Sequence, residues 1–146
     1  MYHVLDDDPP AVEAARVRRL TVADLPRLVA VRSLLGASDP EVTLRTKPVI
    51  AAFAGDGRIV AVAQSYACTE RHGDIGVATS PSHRERGLAT AVSAEVCRLL
   101  RDSGRVPVWS CGHENAASLR VAEKLGFREV SRRIYLVAEE SVGSRT

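Results

Sequence analysis

Lysine is nearly absent from this chain: of its 20 basic residues only Lys47 and Lys124 are lysines, and the rest are arginines. Against 18 acidic residues they leave a net charge of +2 over 146 residues. No broad basic field is therefore present to draw the chain to nucleic acid or to a membrane surface. Aromatic side chains are scarce as well, with two Phe, one Trp and three Tyr, too few for the stacking platforms of single-strand binding. No apolar run approaches the roughly 18 residues that a membrane helix needs. The acidic opening through Asp6-Asp7-Asp8 lacks the apolar centre of a signal peptide, so a soluble, cytoplasmic protein is expected. The three cysteines cannot all pair, and their spacing fits no disulfide framework. Two nucleotide signatures are missing too: there is no Gly-Lys dipeptide for a Walker loop and no G-x-G-x-x-G for a dinucleotide fold.

What is present suits one compact α/β domain. Hydrophobic residues make up 45% of the chain, enough for a core without staples. Residues 1–14, with their Asp and Pro run, read as a flexible N-terminal arm, 15–138 as a single domain and 139–146 as a C-terminal tail. Ala15 to Leu20 alternates like a strand. Thr21 and Asp24 stand at capping-box distance, and Leu25, Leu28, Val29 and Leu35 form the stripe of a helix stopping at Gly36. Residues 37–47 read as a loop holding at most one helical turn. Val49–Ala54 and Ile59–Gln64 flank Gly55-Asp56-Gly57 as a hairpin. Asp74–Thr79 is the next strand, where Gly76 signals a bulge or a close backbone approach.

The following helix is expected to bury Leu88, Val92, Val96, Leu99 and Leu100, to expose Ser93, Arg98 and Arg101, and to close at Gly104. Val106–Cys111 is a further strand, Asn115 to Gly126 a further helix. Phe127–Val130 and Arg133–Val137 are a closing pair of strands. Neither a repeat nor a linker appears.

The segment Thr79-Ser80-Pro81-Ser82-His83-Arg84-Glu85-Arg86-Gly87-Leu88-Ala89 joins a strand to a helix start. The first-turn N–H groups of a helix are unpaired and the dipole is positive at that end, which makes a ready anion site. Gly87 lets a bound group come close to the backbone, Ala89 keeps the first turn small, and Arg84 and Arg86 add charge suited to phosphate oxygens. Further on, Asn115-Ala116-Ala117-Ser118 leads through a helix to Gly126-Phe127, with Asn115 as helix cap and Gly126 as helix stop.

Arg84-Glu85-Arg86-Gly87-Leu88-Ala89 resembles the pyrophosphate loop of the Gcn5-related N-acetyltransferase (GNAT) family, and Asn115-x-x-Ser118 with Gly126-Phe127 resembles that family's closing motif. The resemblance spans roughly Val49 to Tyr135. It implies a mixed, mostly antiparallel sheet flanked by helices, in which the fourth and fifth strands (Asp74–Thr79 and Val106–Cys111) splay apart around acetyl-CoA as co-substrate. It implies that the backbones of Val77, Ala78 and Thr79 pair with the pantetheine arm. The amides of Arg84, Glu85, Arg86, Gly87, Leu88, Ala89 and Thr90 would receive the pyrophosphate, Asn115 would hold the substrate-side geometry and the pantetheine, and Ser118 would face the thioester end.

The implied reaction is direct attack of a primary amine on the thioester, within a single acetyltransferase domain. The Val77 N–H is the candidate oxyanion donor. Asp74 is the candidate base, with Glu70 and His72 as alternatives. Many relatives carry a tyrosine acid seven residues after the motif Asn, where this chain has Ala122; Tyr135 and Ser118 are the substitutes at hand. That departure leaves a CoA-binding sensor or a degenerate paralogue open. A small-molecule amine is the first choice of acceptor and protein amines the second. The chain is expected to be a monomer or homodimer. No metal is expected, because Cys68 with His72 and Cys111 with His113 fall at opposite ends of the implied sheet.

Overall fold

The computed structural model describes residues 2–5, 16–84 and 87–131. Seven strands form one sheet in the order β2-β3-β4-β5-β6-β1-β7. They are β1 (Tyr2–Val4), β2 (Val17–Arg19), β3 (Val49–Phe53), β4 (Ile59–Cys68), β5 (His72–Thr79), β6 (Val106–Ser110) and β7 (Arg128–Ser131). The α-helices are α1 (Leu25–Ala30), α2 (Pro40–Thr46), α3 (Leu88–Asp102) and α4 (Ala116–Leu125). Every neighbouring pair is antiparallel except β5 and β6, which run parallel through the α3 crossover.

Each face of the sheet carries its own core. Ile50, Ala52, Ala61, Ala63 and Ile75 face α3 and α4, and meet Val92, Val96, Leu100, Ala122 and Leu125. Val49, Ala51 and Val62 on the opposite face pack with Leu28 and Leu35 from the α1–α2 layer. The small residues of β3 and β4 let α3 sit close to the sheet. That helix buries Ser93 completely, against the expectation that Ser93 is exposed, because its position falls on the buried stripe with Val92 and Val96.

Tyr2–Val4 corrects the reading of residues 1–14 as a flexible arm. These residues form a strand between β6 and β7, with Tyr2 opposite Ser110 and Val4 opposite Val108 on one edge and His3 opposite Glu129 on the other. Three residues are too short to show a period in sequence, but two-sided pairing holds them. Residues 6–15, the second closing strand at Arg133–Val137 and the tail lie outside the described residues.

The helix expected up to Gly36 is broken into a 3₁₀ turn (Val22–Asp24), α1 and a second 3₁₀ turn (Arg32–Leu35), ending at Gly36 with φ +61°. The segment read as a loop forms α2, started by Pro40 and capped by Asp39 Oδ1, which accepts the Val42 N–H at 3.0 Å. Asp24 ties this layer to the sheet. Its buried carboxylate accepts both Arg18 guanidinium N–H groups at 2.7 and 2.8 Å and the Thr21 N–H at 2.8 Å. The Arg18 hydrogen bonds hold its acid well below the usual carboxylate range despite the opposing effect of burial. Among the described residues no helix is long and apolar enough to cross a membrane.

Gly73 controls how closely α3 approaches β5. A Cβ built there would collide with the Leu100 side chain, which is wedged in the α3–α4 core. Gly73→Ala is expected to cost about 1–3 kcal/mol of stability through overpacking, read as a lower urea midpoint at unchanged m-value.

Candidate active site

The parallel ladder between β5 and β6 is short. His72 pairs with Val106, Gly73 with Pro107 and Asp74 with Val108, and there the pairing stops. From Ile75 to Thr79 on β5, and at Trp109 and Ser110 on β6, the facing edges part into a wedge. Trp109 helps to hold β6 away. It is buried, tilted against Phe127 at 5.6 Å between ring centroids, and its Nε1–H donates to Ser118 Oγ at 3.0 Å, which anchors the strand to α4.

Two hydrogen bonds fix which groups of β5 look into the wedge. Val106 N–H donates to the Arg71 carbonyl at 2.7 Å on the β6 side, and Ser80 N–H donates to the Val60 carbonyl at 2.8 Å on the β4 side. Strand alternation between these points turns the N–H and C=O of Val77 and Thr79 into the wedge, and those of Gly76, Ala78 and Ser80 toward β4. Val77 and Thr79 therefore offer backbone donors and acceptors on the open edge. Ala78 does not: its backbone belongs to the β4 ladder, opposite Val62. The spacing of a strand allows only every second residue to face a ligand on one edge.

Beyond Thr79 the chain forms a 3₁₀ turn (Pro81–His83), where Ser82 Oγ and His83 Nδ1 lie 2.9 Å apart, and reaches an exposed Arg84. Glu85 and Arg86 lie outside the described residues. Gly87 then starts α3 with φ +74°, a left-handed conformation that glycine adopts without strain. The first intrahelical bond of α3 runs from Ala91 N–H to the Gly87 carbonyl at 3.0 Å, and among the described residues no side chain caps the helix. The N–H groups of Leu88, Ala89 and Thr90 are thus left for another acceptor at the positive end of a 15-residue helix. A Cβ at Gly87 meets nothing within 4 Å, so the approach to these amides is open.

Asn115 caps α4 as the sequence indicates: its Oδ1 accepts the Ser118 N–H at 3.1 Å. Gly126, with φ +92°, ends that helix. Ala122 is buried in the core that α4 shares with the sheet. Tyr135 lies outside the described residues. Glu70 is exposed on the turn between β4 and β5, and His72 is exposed at the first ladder pair.

Asp74 closes the narrow end of the wedge. The hydroxyl of Ser110, on the facing strand, reaches its two carboxylate oxygens at 3.3 and 3.4 Å. Asp74 is half-buried, and that desolvation raises its pKa above the ordinary value, more than the Ser110 and Ile75 N–H hydrogen bonds lower it. A carboxylate held in this way is a stronger base than one in water. Among the described residues no three His, Cys, Asp or Glu side chains gather at metal-binding distance.

Comparison with known proteins gives the setting of this geometry. Residues 51–135 match the family model described as GNAT acetyltransferase. A GNAT-family protein from Novosphingobium aromaticivorans superposes with a TM-score of 0.73 at 26% identity over 87% of this chain, which spans only 58% of that protein's length. The aminoglycoside N-acetyltransferase AAC(6')-Iy in complex with CoA superposes at 0.65 with 25% identity, covering 84% of this chain and 98% of its own. A ribosomal-protein-alanine N-acetyltransferase from Brucella melitensis shares the fold at 0.64 and 22% identity, over 80% of this chain and 86% of its own. No curated protein sequence matches the chain.

The raised pKa of Asp74 has a consequence for stability. An unfolded Asp titrates near about 3.9. Between that value and the higher folded one, the folded protein keeps a proton that the unfolded chain has lost, so stability falls as pH rises across the window. At neutral pH the ionised side chain is a net cost. Asp74→Asn is expected to raise Tm at pH 7, with the gain shrinking as the pH is lowered to about 3. Paired thermal melts at the two pH values check the sign.

Proposed function

The chain belongs to the GNAT acetyltransferase family, and from that premise we propose that it is an acetyl-CoA-dependent N-acetyltransferase acting in the cytoplasm on a primary amine of a small molecule. The observation that carries this reading is the unpaired edge of β5, leading from Asp74 at the narrow end of the wedge to the uncapped start of α3 at its mouth. An extended ligand with an acyl group at one end and a diphosphate at the other fits such a track. A CoA complex of AAC(6')-Iy, at 25% identity, supports the same ligand.

Each part of the track has a separate task. The N–H groups of Leu88, Ala89 and Thr90 and the Arg84 guanidinium receive the diphosphate. Glu85 and Arg86 belong to the same loop by resemblance. Backbone groups of Val77 and Thr79 take the amide-rich arm as an added strand would be taken. Asn115 and Ser118 line the opposite wall at the start of α4. When bound, acetyl-CoA supplies an activated acyl carbon.

Asp74 then accepts a proton from the incoming ammonium, since an alkylamine is otherwise protonated at neutral pH. The amine attacks the carbonyl carbon, and the Val77 N–H donates to the carbonyl oxygen as that oxygen gains charge. The C–S bond breaks and the sulfur leaves as thiolate, a fair leaving group without an acid. The Ser118 hydroxyl oxygen already accepts Trp109 Nε1–H, so its own O–H is free to donate a hydrogen bond to that sulfur, and the second proton of the attacking nitrogen passes to the thiolate as the amide forms.

Calorimetry with acetyl-CoA tests the premise. Gly87→Trp places a ring in the open space over the α3 amides and is expected to abolish binding, at a backbone strain of about 1–2 kcal/mol. Arg84→Ala is expected to weaken binding roughly tenfold. Asp74→Asn should keep acetyl-CoA affinity while lowering kcat/KM by roughly two orders of magnitude or more on an accepted amine. Binding of ATP or NAD in place of acetyl-CoA would refute the reading. Tight acetyl-CoA binding with no thiol release across a wide amine panel would turn it into a sensor.

A further inference from the structure

The face of the sheet beside Asp74 carries a second set of features that the acyl track does not use. On β5, Asp74, Gly76 and Ala78 point to the α1–α2 side, because Ile75 and Val77 pack with the α3 core. Gln64 lies directly across from Gly76 on β4. Beyond it β4 carries one extra residue between Ser65 and Ala67, and that bulge presents Tyr66. The bulge expected in β5 at Gly76 is thus in the partner strand.

Gly76 is not glycine for a backbone reason, since its φ lies outside the left-handed region. Crowding does not require it either: a Cβ there would meet the Tyr66 Cβ and Cδ2 at 3.6 Å and the Gln64 Cγ at 3.9 Å, ordinary contacts. What the missing side chain provides is a trough, floored by Gly76 and walled by Gln64 and Tyr66. Gln64 is 4% exposed, and its Oε1 has no hydrogen-bond partner among the described residues. A buried amide oxygen left in that state carries a desolvation cost that a polar ligand group at this site would relieve. Tyr66, at 57% exposed, is a large aromatic left at the surface beside it.

Lys47 stands on the far side of the Tyr66 ring. Its ammonium donates to the Tyr66 carbonyl at 2.8 Å and lies 5.6 Å from the ring centroid, so it is fixed in place. It forms no ion pair among the described residues. A half-buried ammonium held by one carbonyl keeps donors for an anion.

On the acetyl-transfer reading, we propose that the acceptor is an amine that also bears a carboxylate, with the amino group delivered to Asp74 and the carboxylate received by Lys47. The acceptor's intervening chain lies in the trough over Gly76, against Tyr66, where Gln64 binds its polar groups. Because Gly76 and a whole aromatic ring separate the two charged ends, the amine and carboxylate are several bonds apart. A polycation is disfavoured, since its second positive charge would fall on Lys47.

Gln64 is the sole glutamine and Asn115 the sole asparagine of the chain, so side-chain amide resonances in a ¹⁵N spectrum report on Gln64 without turnover. The full-length protein saturated with CoA would be titrated with 6-aminohexanoate and triglycine, against hexylamine, triglycinamide and kanamycin. The two carboxylate-bearing amines are expected to shift the Gln64 amide at least tenfold more tightly than their neutral-tailed counterparts, with kanamycin silent. Lys47→Gln is expected to erase that preference, and Gly76→Ala to block all shifts, both with CoA affinity unchanged by calorimetry. Equal or tighter binding of hexylamine or kanamycin would overturn the proposal. So would a Gln64 amide that no probe moves, or a preference that survives Lys47→Gln. Failure of CoA itself to bind would instead strike the acetyl-transfer reading.

Discussion

The three-residue ladder between β5 and β6 is the constraint on which the rest of this structure depends. It is short because two opposed forces act on its ends. At the lower end Leu100 of α3 presses on Gly73, where the lack of a side chain lets helix and strand meet. At the upper end Trp109 is drawn toward Phe127 and Ser118, and the strand twist carries β6 away from β5. A longer ladder would pair the backbone of Val77 and Thr79 internally and remove the wedge. Without a ladder at all, Asp74 would lose Ser110 and the half-buried setting that raises its pKa.

A pattern of unmet polar capacity follows from that opening. The wedge edge of β5, the first-turn amides of α3 and the Gln64 oxygen all lack partners among the described residues, and all lie on β5, on its neighbour β4 or at the helix that follows β5. Folding alone favours closing such groups, because each costs free energy when dehydrated. The α1 layer shows the opposite treatment. There Asp24 is satisfied by Arg18 and Thr21, and Arg18 in turn stacks 4.5 Å from the Phe53 ring centroid. The contrast separates the part of the molecule built to be finished by itself from the part left for a ligand.

The sequence carried the local chemistry well and the register poorly. Asn115 as cap, Gly126 as stop, Gly87 before α3 and the Gly55–Gly57 turn are read from residue types whose conformational preferences are strong and local. The parallel neighbours Asp74–Thr79 and Val106–Cys111 follow from the helix between them. Which backbone groups of β5 face outward is set by pairing with β4, and a one-residue change of register reverses it. Ala78 is turned to β4 for that reason. Tyr2–Val4 stayed hidden because its stability comes from two partners remote in sequence. Gln64 gave no signal at all: one glutamine at the end of an apolar run reads as a strand terminus until its partner strand shows that it is buried beside a glycine.

The position of Ala122 bears on how the thiolate leaves. A side chain there points into the core against the sheet, at 1% exposure, so a tyrosine would have to displace core packing to fit. Its absence is therefore a property of how α4 is seated, and not simply the loss of a catalytic group. The same seating brings Ser118 to Trp109 Nε1–H, and a hydroxyl that accepts from an indole is a better donor of its own proton through cooperative polarisation. The indole anchors β6, holds the wedge open and polarises the one hydroxyl on the α4 wall. On the proposed reaction, opening the cleft and polarising the hydroxyl nearest the departing sulfur would be two effects of a single buried side chain. The reaction proposed above would then rely on the intrinsic stability of the thiolate, with Ser118 as aid, in place of a dedicated acid.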